Sequence, residues 1–423
     1  MVKGSKTISP DHLRRIATKT GSEWKIPFEE VYAYLLSLTQ TTKQTVNVPK
    51  PEEITPEFKR ARDRERKLLE LQQELRILRE EQKDSLIAEN MFDVIREQIR
   101  ISCQPFDPLP QTNIRPTNTG EINESLVMHI SDEHADQVVM PHKVNNLENY
   151  NLNVALRRAE NYVERTIDFT KNKLNNYNFH TLWMLHYGDH VNGWIHGGTE
   201  NSALRNDFAN AIAVGQMHAL MLRDLAPHFE EIKVIYVPGN HGRQTHHKDL
   251  HNALRNLDYV VAETNYAHSR NLKNVEFLVP DSYSVNIEIE GFVFNITHGD
   301  SVRGWNGIPW YGIERRNRRL QAVHAAKNEQ IHYKVMGHFH QLGSAQDSVG
   351  ETLLNGSWKA TDEFLYTECG GYTNPMQLIH GVHSDYGVSW RLPIHLRTSD
   401  DISGPKRYKI DLASKQLQDM IKG

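Results

Sequence analysis

Cysteine is nearly absent: Cys103 and Cys369 are the only two in 423 residues, and they stand far apart. That excludes a disulfide framework and a thiolate zinc site, so any metal must be held by nitrogen and oxygen donors. No apolar run is long enough to span a bilayer. The first residues are basic but lead into Pro10, Asp11 and His12 rather than an apolar segment, so no secretory signal is visible and a cytoplasmic location is expected. An excess of one charge is missing too. With 53 acidic residues against 49 basic ones, the whole chain carries no nucleic-acid signature, and positive charge for a polyanion would have to be local. Histidine, by contrast, is plentiful at 23 residues.

The chain divides into five stretches. Residues 1–54 read as a small helical unit. Ser9 and Pro10 open a helix through Leu13, Ile16 and Ala17 that stops at Gly21, and a second runs from Pro27 through Val31, Tyr32, Leu35, Leu36 and Leu38. Such a pair suits a helix-turn-helix or a helical docking module, and its nearly cancelling charges leave both open. Residues 55–104 are charge-rich, with Leu68, Leu71, Leu75 and Leu78 at coiled-coil spacing before the seam turns polar at Gln82 and Ser85. This falls short of the roughly three or four heptads a coiled coil needs, so a long helix packed on its own protein is preferred. A homodimer or a protein partner through this arm stays open. Pro105, Pro108, Pro110 and Pro116 mark residues 105–123 as a linker. Residues 124–400 form the main domain, and 401–423 a polar C-terminal tail.

In the main domain, short apolar runs alternate with amphipathic stretches, the signature of an α/β sheet protein. Strands are expected at Leu126 to Ile130, Thr181 to Tyr187, Ile232 to Val237, Tyr283 to Ile289, Phe292 to Thr297 and Tyr333 to Met336. Helices are expected at Leu156 to Phe169 and Asn206 to Leu225. Five of the strands end in donor-type residues: Asp132-Glu133-His134, Gly188-Asp189, Pro238-Gly239-Asn240-His241, His298-Gly299-Asp300 and Gly337-His338-Phe339-His340. Extended backbone would put Asp132 and His134, and likewise His338 and His340, on one side. Singly, each motif is an ordinary turn or core histidine. Together they offer oxygen and imidazole donors without thiols, which suits a pair of ions such as manganese, iron or zinc.

The ordered series D-x-H, G-D, G-N-H, H and G-H-x-H resembles the calcineurin-like metallophosphoesterase superfamily over roughly residues 124 to 360. The resemblance implies that Asp132, His134 and His340 hold one divalent metal, that Asn240, His298 and His338 hold a second, and that Asp189 bridges them. Asn355-Gly356-Ser357 looks like the family's short element after the last motif. The implied fold is a four-layer α/β/β/α sandwich of two mixed sheets, here preceded by an all-α N-terminal region. The implied chemistry is phosphate-ester hydrolysis, in which paired metals spread charge and activate water. His241 is then placed to stabilise the transition state and protonate the leaving oxygen, beside the metals without ligating them.

The substrate is read from departures and neighbours. Gly188-Asp189-His190-Val191-Asn192-Gly193 lacks the Asp and Arg that Ser/Thr protein phosphatases of the superfamily carry there. Arg243, two residues after His241, stands near where an acidic residue is usual and is a candidate phosphate ligand. Arg303, Arg315, Arg316 and Arg319, interleaved with Trp305, Trp310 and Tyr311, suit a groove for a DNA backbone and stacked bases. The same residues would also suit a solvated helix face from Glu314 to Lys327. A manganese-dependent DNA nuclease, similar to the DNA-repair exonuclease branch, is the first reading. A phosphatase or phosphodiesterase for nucleotides and other small esters comes second, and a catalytically silent nucleic-acid-binding protein third.

Overall fold

The computed structural model describes residues 91–110, 122–193, 202–245, 247–302 and 307–422. The helical unit at 1–54, the leucine seam and most of the Pro-rich stretch lie outside the described residues. Within them, residues 91–102 form helix α1. It packs by Phe92 and Ile99 into the main core and by Arg100 on Glu263, 2.9 Å away.

Strand β1 (Ser125–Ile130) is buried along its whole length, as expected of a strand covered on both faces. Leu126, Met128 and Ile130 point into one core and Val127 into another. Around it lie β2 (Thr181–His186), β3 (Glu231–Tyr236) and β4 (Val275–Leu278), all parallel, with β10 (Met376–His383) and β11 (Gly387–His395) antiparallel beyond it. The order is β11-β10-β1-β2-β3-β4. The second sheet contains β5 (Ser284–Ile289), β6 (Phe292–Thr297), β7 (Tyr333–Met336), β8 (Gly343–Asp347) and β9 (Gly350–Leu354), in the order β8-β9-β7-β6-β5. Only β6–β7 and β7–β9 pair in parallel there, so both sheets are mixed.

Helices α2 (Leu152–Asp168), α3 (Asp207–Leu225) and α4 (Leu257–Ser269) cover the outer face of the first sheet. Each starts at an asparagine whose side chain accepts a backbone N–H: Asn151 from Val154, Asn206 from Ala209 and Asn256 from Asp258. Gly215 allows α3 and α4 to touch, since a Cβ there would stand 2.5 Å from Cβ of Thr264. Helix α5 (Trp310–Ala325) covers the second sheet through Ile313, packed with Met336 and Leu354. Val127, Leu185, Ile235, Phe294 and Val335 fill the space between the sheets. The layers are therefore helix, sheet, sheet, helix, the mixed α/β sandwich that the sequence implied. Two short helices, α6 (Glu363–Cys369) and α7 (Lys415–Lys422), lie toward the end of the chain, and Ile122–Asn123 pairs in parallel with Tyr177–Asn178 outside both sheets. No helix among the described residues is long and apolar enough to cross a membrane.

The stretch read as a polar tail is anchored. Tyr408 and Ile410 are buried in the main core, and Glu160 accepts the backbone N–H groups of Lys406 and Tyr408 at 2.9 and 2.7 Å. Arg158, 1% exposed, ties this segment to α2: Nε meets Asp401 at 3.0 Å and Nη2 meets Glu148 at 3.1 Å. Its Nη1 also donates to the carbonyl of Trp358. Removing the cation takes the buried partner from two carboxylates, of which Glu148 keeps Arg397 at 3.1 Å and Asp401 keeps only the neutral donors of Thr398. Arg158→Ala is thus expected to lower the unfolding free energy by about 3–5 kcal/mol in urea denaturation.

Candidate metal centre and cleft

The donors sit just past the C-terminal ends of strands, where ligands of α/β sheets collect. Asp132 and His134 follow β1, Asp189 follows β2, and Asn240 and His241 follow β3. His298 follows β6, and His338 and His340 follow β7. The backbone there is not the extended chain that the i, i+2 spacing suggested. Asp132, His134, Asp189, His338 and His340 all have positive φ, between 42° and 66°, as does Gly188 at 93°. The chain must turn sharply off each strand to aim its side chains into one space, and the left-handed region supplies that turn at a strain of about 1–2 kcal/mol per residue.

Neighbouring groups hold these turns. Asp132 N–H donates to the Gly188 carbonyl at 3.1 Å, and His134 N–H to that of Asp189 at 3.0 Å. Each carboxylate then clamps another loop: Oδ1 of Asp132 accepts from His338 N–H and Oδ1 of Asp189 from His241 N–H, both at 2.8 Å. Asn355 bonds Ser131 Oγ at 3.0 Å, and Ser357 Oγ donates to the Asp132 carbonyl at 3.0 Å, so the Asn-Gly-Ser element supports the first donor loop. Two supports were not read from the sequence. Asp258, in the first turn of α4, accepts the N–H groups of Asp189, His190 and Gly239 at 3.2, 3.2 and 2.8 Å. Its only sequence signal was the capping pattern Asn256-x-Asp258. The carbonyl of Asn192 accepts from Nδ1 of His241 at 2.8 Å and orients a ring for which no acidic partner could be named.

The donors gather in groups whose ligating atoms lie within 4.8 Å of one another: Asp132 with His134 and His340, and Asp189 with His298 and His338. His241 forms a similar group with His134 and Asp189, nearer to the donors than the sequence suggested. Two observations fit cations here. Nε2 of His134 and Nε2 of His340 face each other at 3.2 Å, so a cation between them could accept a lone pair from both rings in their neutral form. Oδ1 of Asn240 and Nε2 of His298 are buried without a hydrogen-bond partner, although the latter approaches Oδ2 of Asp189 to 2.9 Å off the bonding direction. Nδ1 of His298 donates to the Tyr187 carbonyl at 2.8 Å, which leaves Nε2 as the ring's inward donor atom.

Electrostatics point the same way. Burial alone pushes the Asp189 carboxyl up, but the charges of His298 and His241 outweigh it and hold Asp189 well below the usual range. Asp132 is likewise lowered, with burial opposed by its hydrogen bond with His340 and the charge of His298. Burial disfavours a charged His298, yet Asp189 beside it raises that imidazole to about 10, so a cation taking Nε2 would have to displace its proton. Two ionised carboxylates in dry surroundings make a site that attracts cations.

The donors open into a cleft of about 1270 Å³, lined among others by His134, Asp189, Asn240, His241, His338 and His340. Its basic residues are His142, Lys143, Arg205 and Lys359, of which Lys359 is already bonded to Asp362 and Gln137. Phe364 and Tyr372, 69% and 43% exposed, supply aromatic faces. None of Arg243, Arg315, Arg316 and Arg319 lines this cleft, which corrects the expectation of an arginine groove at its wall. Arg315 lies over the Tyr311 ring at 6.0 Å, and Arg319 is exposed on α5. Arg316 is largely buried, which lowers its pKa against the pull of Asp300. Their helix turns most of its charge to solvent because its other face packs on β7 and β9 through Ile313. Arg243 keeps a buried Nε without a partner. Arg303 lies outside the described residues.

No protein-family model matches the chain, and no curated protein does. Among solved structures, an archaeal phosphodiesterase is 13% identical with a TM-score of 0.29, covering 64% of this chain and 99% of its own. Vacuolar Protein Sorting 29 from Cryptosporidium parvum is 14% identical at a TM-score of 0.30, covering 64% and 98%. A hypothetical protein from Pyrococcus horikoshii is 10% identical at 0.33, covering 71% and 93%. Likeness at these scores leaves the reading of the site to its own geometry.

Gly239 is where that geometry is tightest. A Cβ there would fall 2.2 Å from Oδ1 of Asp189 and 2.4 Å from its backbone nitrogen. Gly239→Ala is expected to displace Asp189 and weaken divalent-cation binding at least ~10-fold by calorimetric titration, while circular dichroism still reports a folded chain.

Proposed function

We propose that the chain is a dinuclear-metal phosphoesterase acting on phosphodiesters, with DNA as its substrate. The observation that carries this reading is the convergence of six Asp and His donors, two of them ionised carboxylates, with the partnerless Oδ1 of Asn240 in the lining of the same cleft. Asp132, His134 and His340 would hold one cation, Asn240, His298 and His338 the other, and Asp189 both. A pair of divalent cations there would supply charge neutralisation for the phosphate and a strong nucleophile at neutral pH.

The remaining work falls to the chain's own side chains. Because Nδ1 of His241 donates to the Asn192 carbonyl, its Nε2 is directed to the Asp189 side, 4.0 Å from Oδ2. From there it can pass a proton to the departing ester oxygen. Lys143 and Arg205 are exposed at the cleft and suit phosphates flanking the scissile one, while Phe364 and Tyr372 offer faces on which bases stack. One observation favours a smaller substrate such as a nucleotide diester: the α5 arginines stand outside the cleft lining.

With manganese, the full-length protein is expected to cleave single- or double-stranded DNA and a bis-aryl phosphodiester, and an aryl phosphomonoester at least ~100-fold more slowly. Cleavage of the small diester without DNA would assign the nucleotide reading, and cleavage of the monoester alone would overturn both. Asp189→Ala should abolish turnover and lower bound metal, whereas His241→Ala should lower kcat by about 10²–10⁴ with metal content unchanged. Equal metal loss in the two variants would remove His241 from proton transfer. Arg205→Ala should weaken DNA binding and reduce the slope of log affinity against log salt by about 1, with activity on the small diester retained.

A further inference from the structure

Behind the cleft, between the first sheet and its helices, lies a second collection of imidazoles that the hydrolytic reading does not use. His186 ends β2, His190 follows Asp189, and His218 comes from the middle of α3; all three are fully buried, as is Glu133. None of the four lines the cleft. Their ligating nitrogens lie within 4.8 Å of one another, and the ring centroids are 5.4, 4.5 and 4.9 Å apart for 186–190, 186–218 and 190–218.

Hydrogen bonding here is unfinished. Asn265 Nδ2 donates to the Tyr236 hydroxyl at 3.0 Å, and that hydroxyl meets Nδ1 of His218 at 2.8 Å. Glu133 Oε2 stands 2.8 Å from Nε2 of His218 and 2.6 Å from Nδ1 of His190. There the pairing stops. Both nitrogens of His186, Nε2 of His190 and Oε1 of Glu133 are buried without a partner. An imidazole always has polar atoms to satisfy, and a fully buried one rarely leaves both of its nitrogens unmet. Unmet atoms on three of these four residues, and a His186 with neither nitrogen satisfied, therefore mark a missing occupant.

We propose that His186, His190, His218 and Glu133 form a third metal site, separate from the cleft, for a zinc-type cation. Three imidazoles and one carboxylate match the donors and the coordination number of tetrahedral zinc, whereas magnesium and calcium call for oxygen. Nδ1 of His190 and Nε2 of His218 already converge on Oε2 of Glu133, at 2.6 and 2.8 Å, so a cation at that point would take the place of the protons the three groups share. A cation on Nε2 of His218 has Glu133 at hand as the fourth donor. With no open position and no access from the cleft, the role is structural. The site ties the loop of Asp132 and His134, through Glu133, to the loop of Asp189, through His190, and both to α3.

The inference does not depend on what the cleft hydrolyses, and metal content separates the two. Full-length protein, Asp189→Ala, His186→Phe and the double variant are loaded with zinc or cobalt(II), desalted and assayed by elemental analysis. His186→Phe is expected to lower the metal content by about one equivalent per chain in both backgrounds. Cobalt-loaded Asp189→Ala should show intense tetrahedral ligand-field bands that the double variant lacks. Zinc should raise the melting temperature of Asp189→Ala and leave that of the double variant unchanged. The proposal is overturned if His186→Phe keeps the metal content of its parent. It is equally overturned if cobalt-loaded Asp189→Ala shows no tetrahedral bands, as would follow if a buried water filled the space; this spectrum decides even if His186→Phe fails to fold. A cleft that binds no metal appears instead as equal metal content in wild type and Asp189→Ala.

Discussion

Two carboxylates kept charged in dry protein are the constraint on which the rest of the site depends. Asp132 and Asp189 are almost wholly inaccessible to water. An isolated carboxylate there would take up a proton, and a protonated one would attract no cation. Each keeps its charge by turning outward to other loops: one oxygen receives a backbone N–H and the other faces imidazoles or, at Asp132, the Ser131 hydroxyl. These charge-assisted bonds also decide the shape. Asp132 fastens the end of β1 to the end of β7, and so joins the two sheets at their common mouth, while Asp189 fastens β2 to β3 within the first.

The donors were legible because they follow strands whose apolar runs are unmistakable, and a chain carries few residues that serve as N and O ligands in such an order. All six expected strands appear, Phe292–Thr297 and Tyr333–Met336 with the bounds expected and the other four within a residue of theirs. Five strands of the two sheets were missed: Val275–Leu278, Gly343–Asp347 and Gly387–His395 are edge strands with mixed or exposed faces and lack the buried run that reveals a strand, whereas Gly350–Leu354 and Met376–His383 are buried but carry a glycine or polar residues within short apolar runs. Helix α4 was missed as well, because nearly every side chain on it is buried and no polar face gives it a period.

What surrounds the donors was less legible, for a different reason. Asn192 acts on His241 through its backbone carbonyl, and a carbonyl leaves no trace in residue identity. Asp258 reaches three N–H groups from two loops, an arrangement that exists only once the strands are aligned. The arginines of α5 read as a groove because charge and aromatic spacing can be seen in sequence. The direction of a helix face relative to a cleft is set by packing at Ile313 and Asn317 and cannot be seen there.

The left-handed turns at the donors bear on how such a chain can change over generations. His134 and His340 face each other at 3.2 Å, His340 stands 3.4 Å from Asp132, and both histidines occupy a backbone region that glycine enters freely. Exchanging either for glycine would release strain of about 1–2 kcal/mol against an entropic loss of about 0.5–1 kcal/mol. Stability by itself therefore gives no reason to retain these histidines. A descendant that ceased to use its cleft would drift toward smaller residues at those turns first, while the core strands behind them stayed readable.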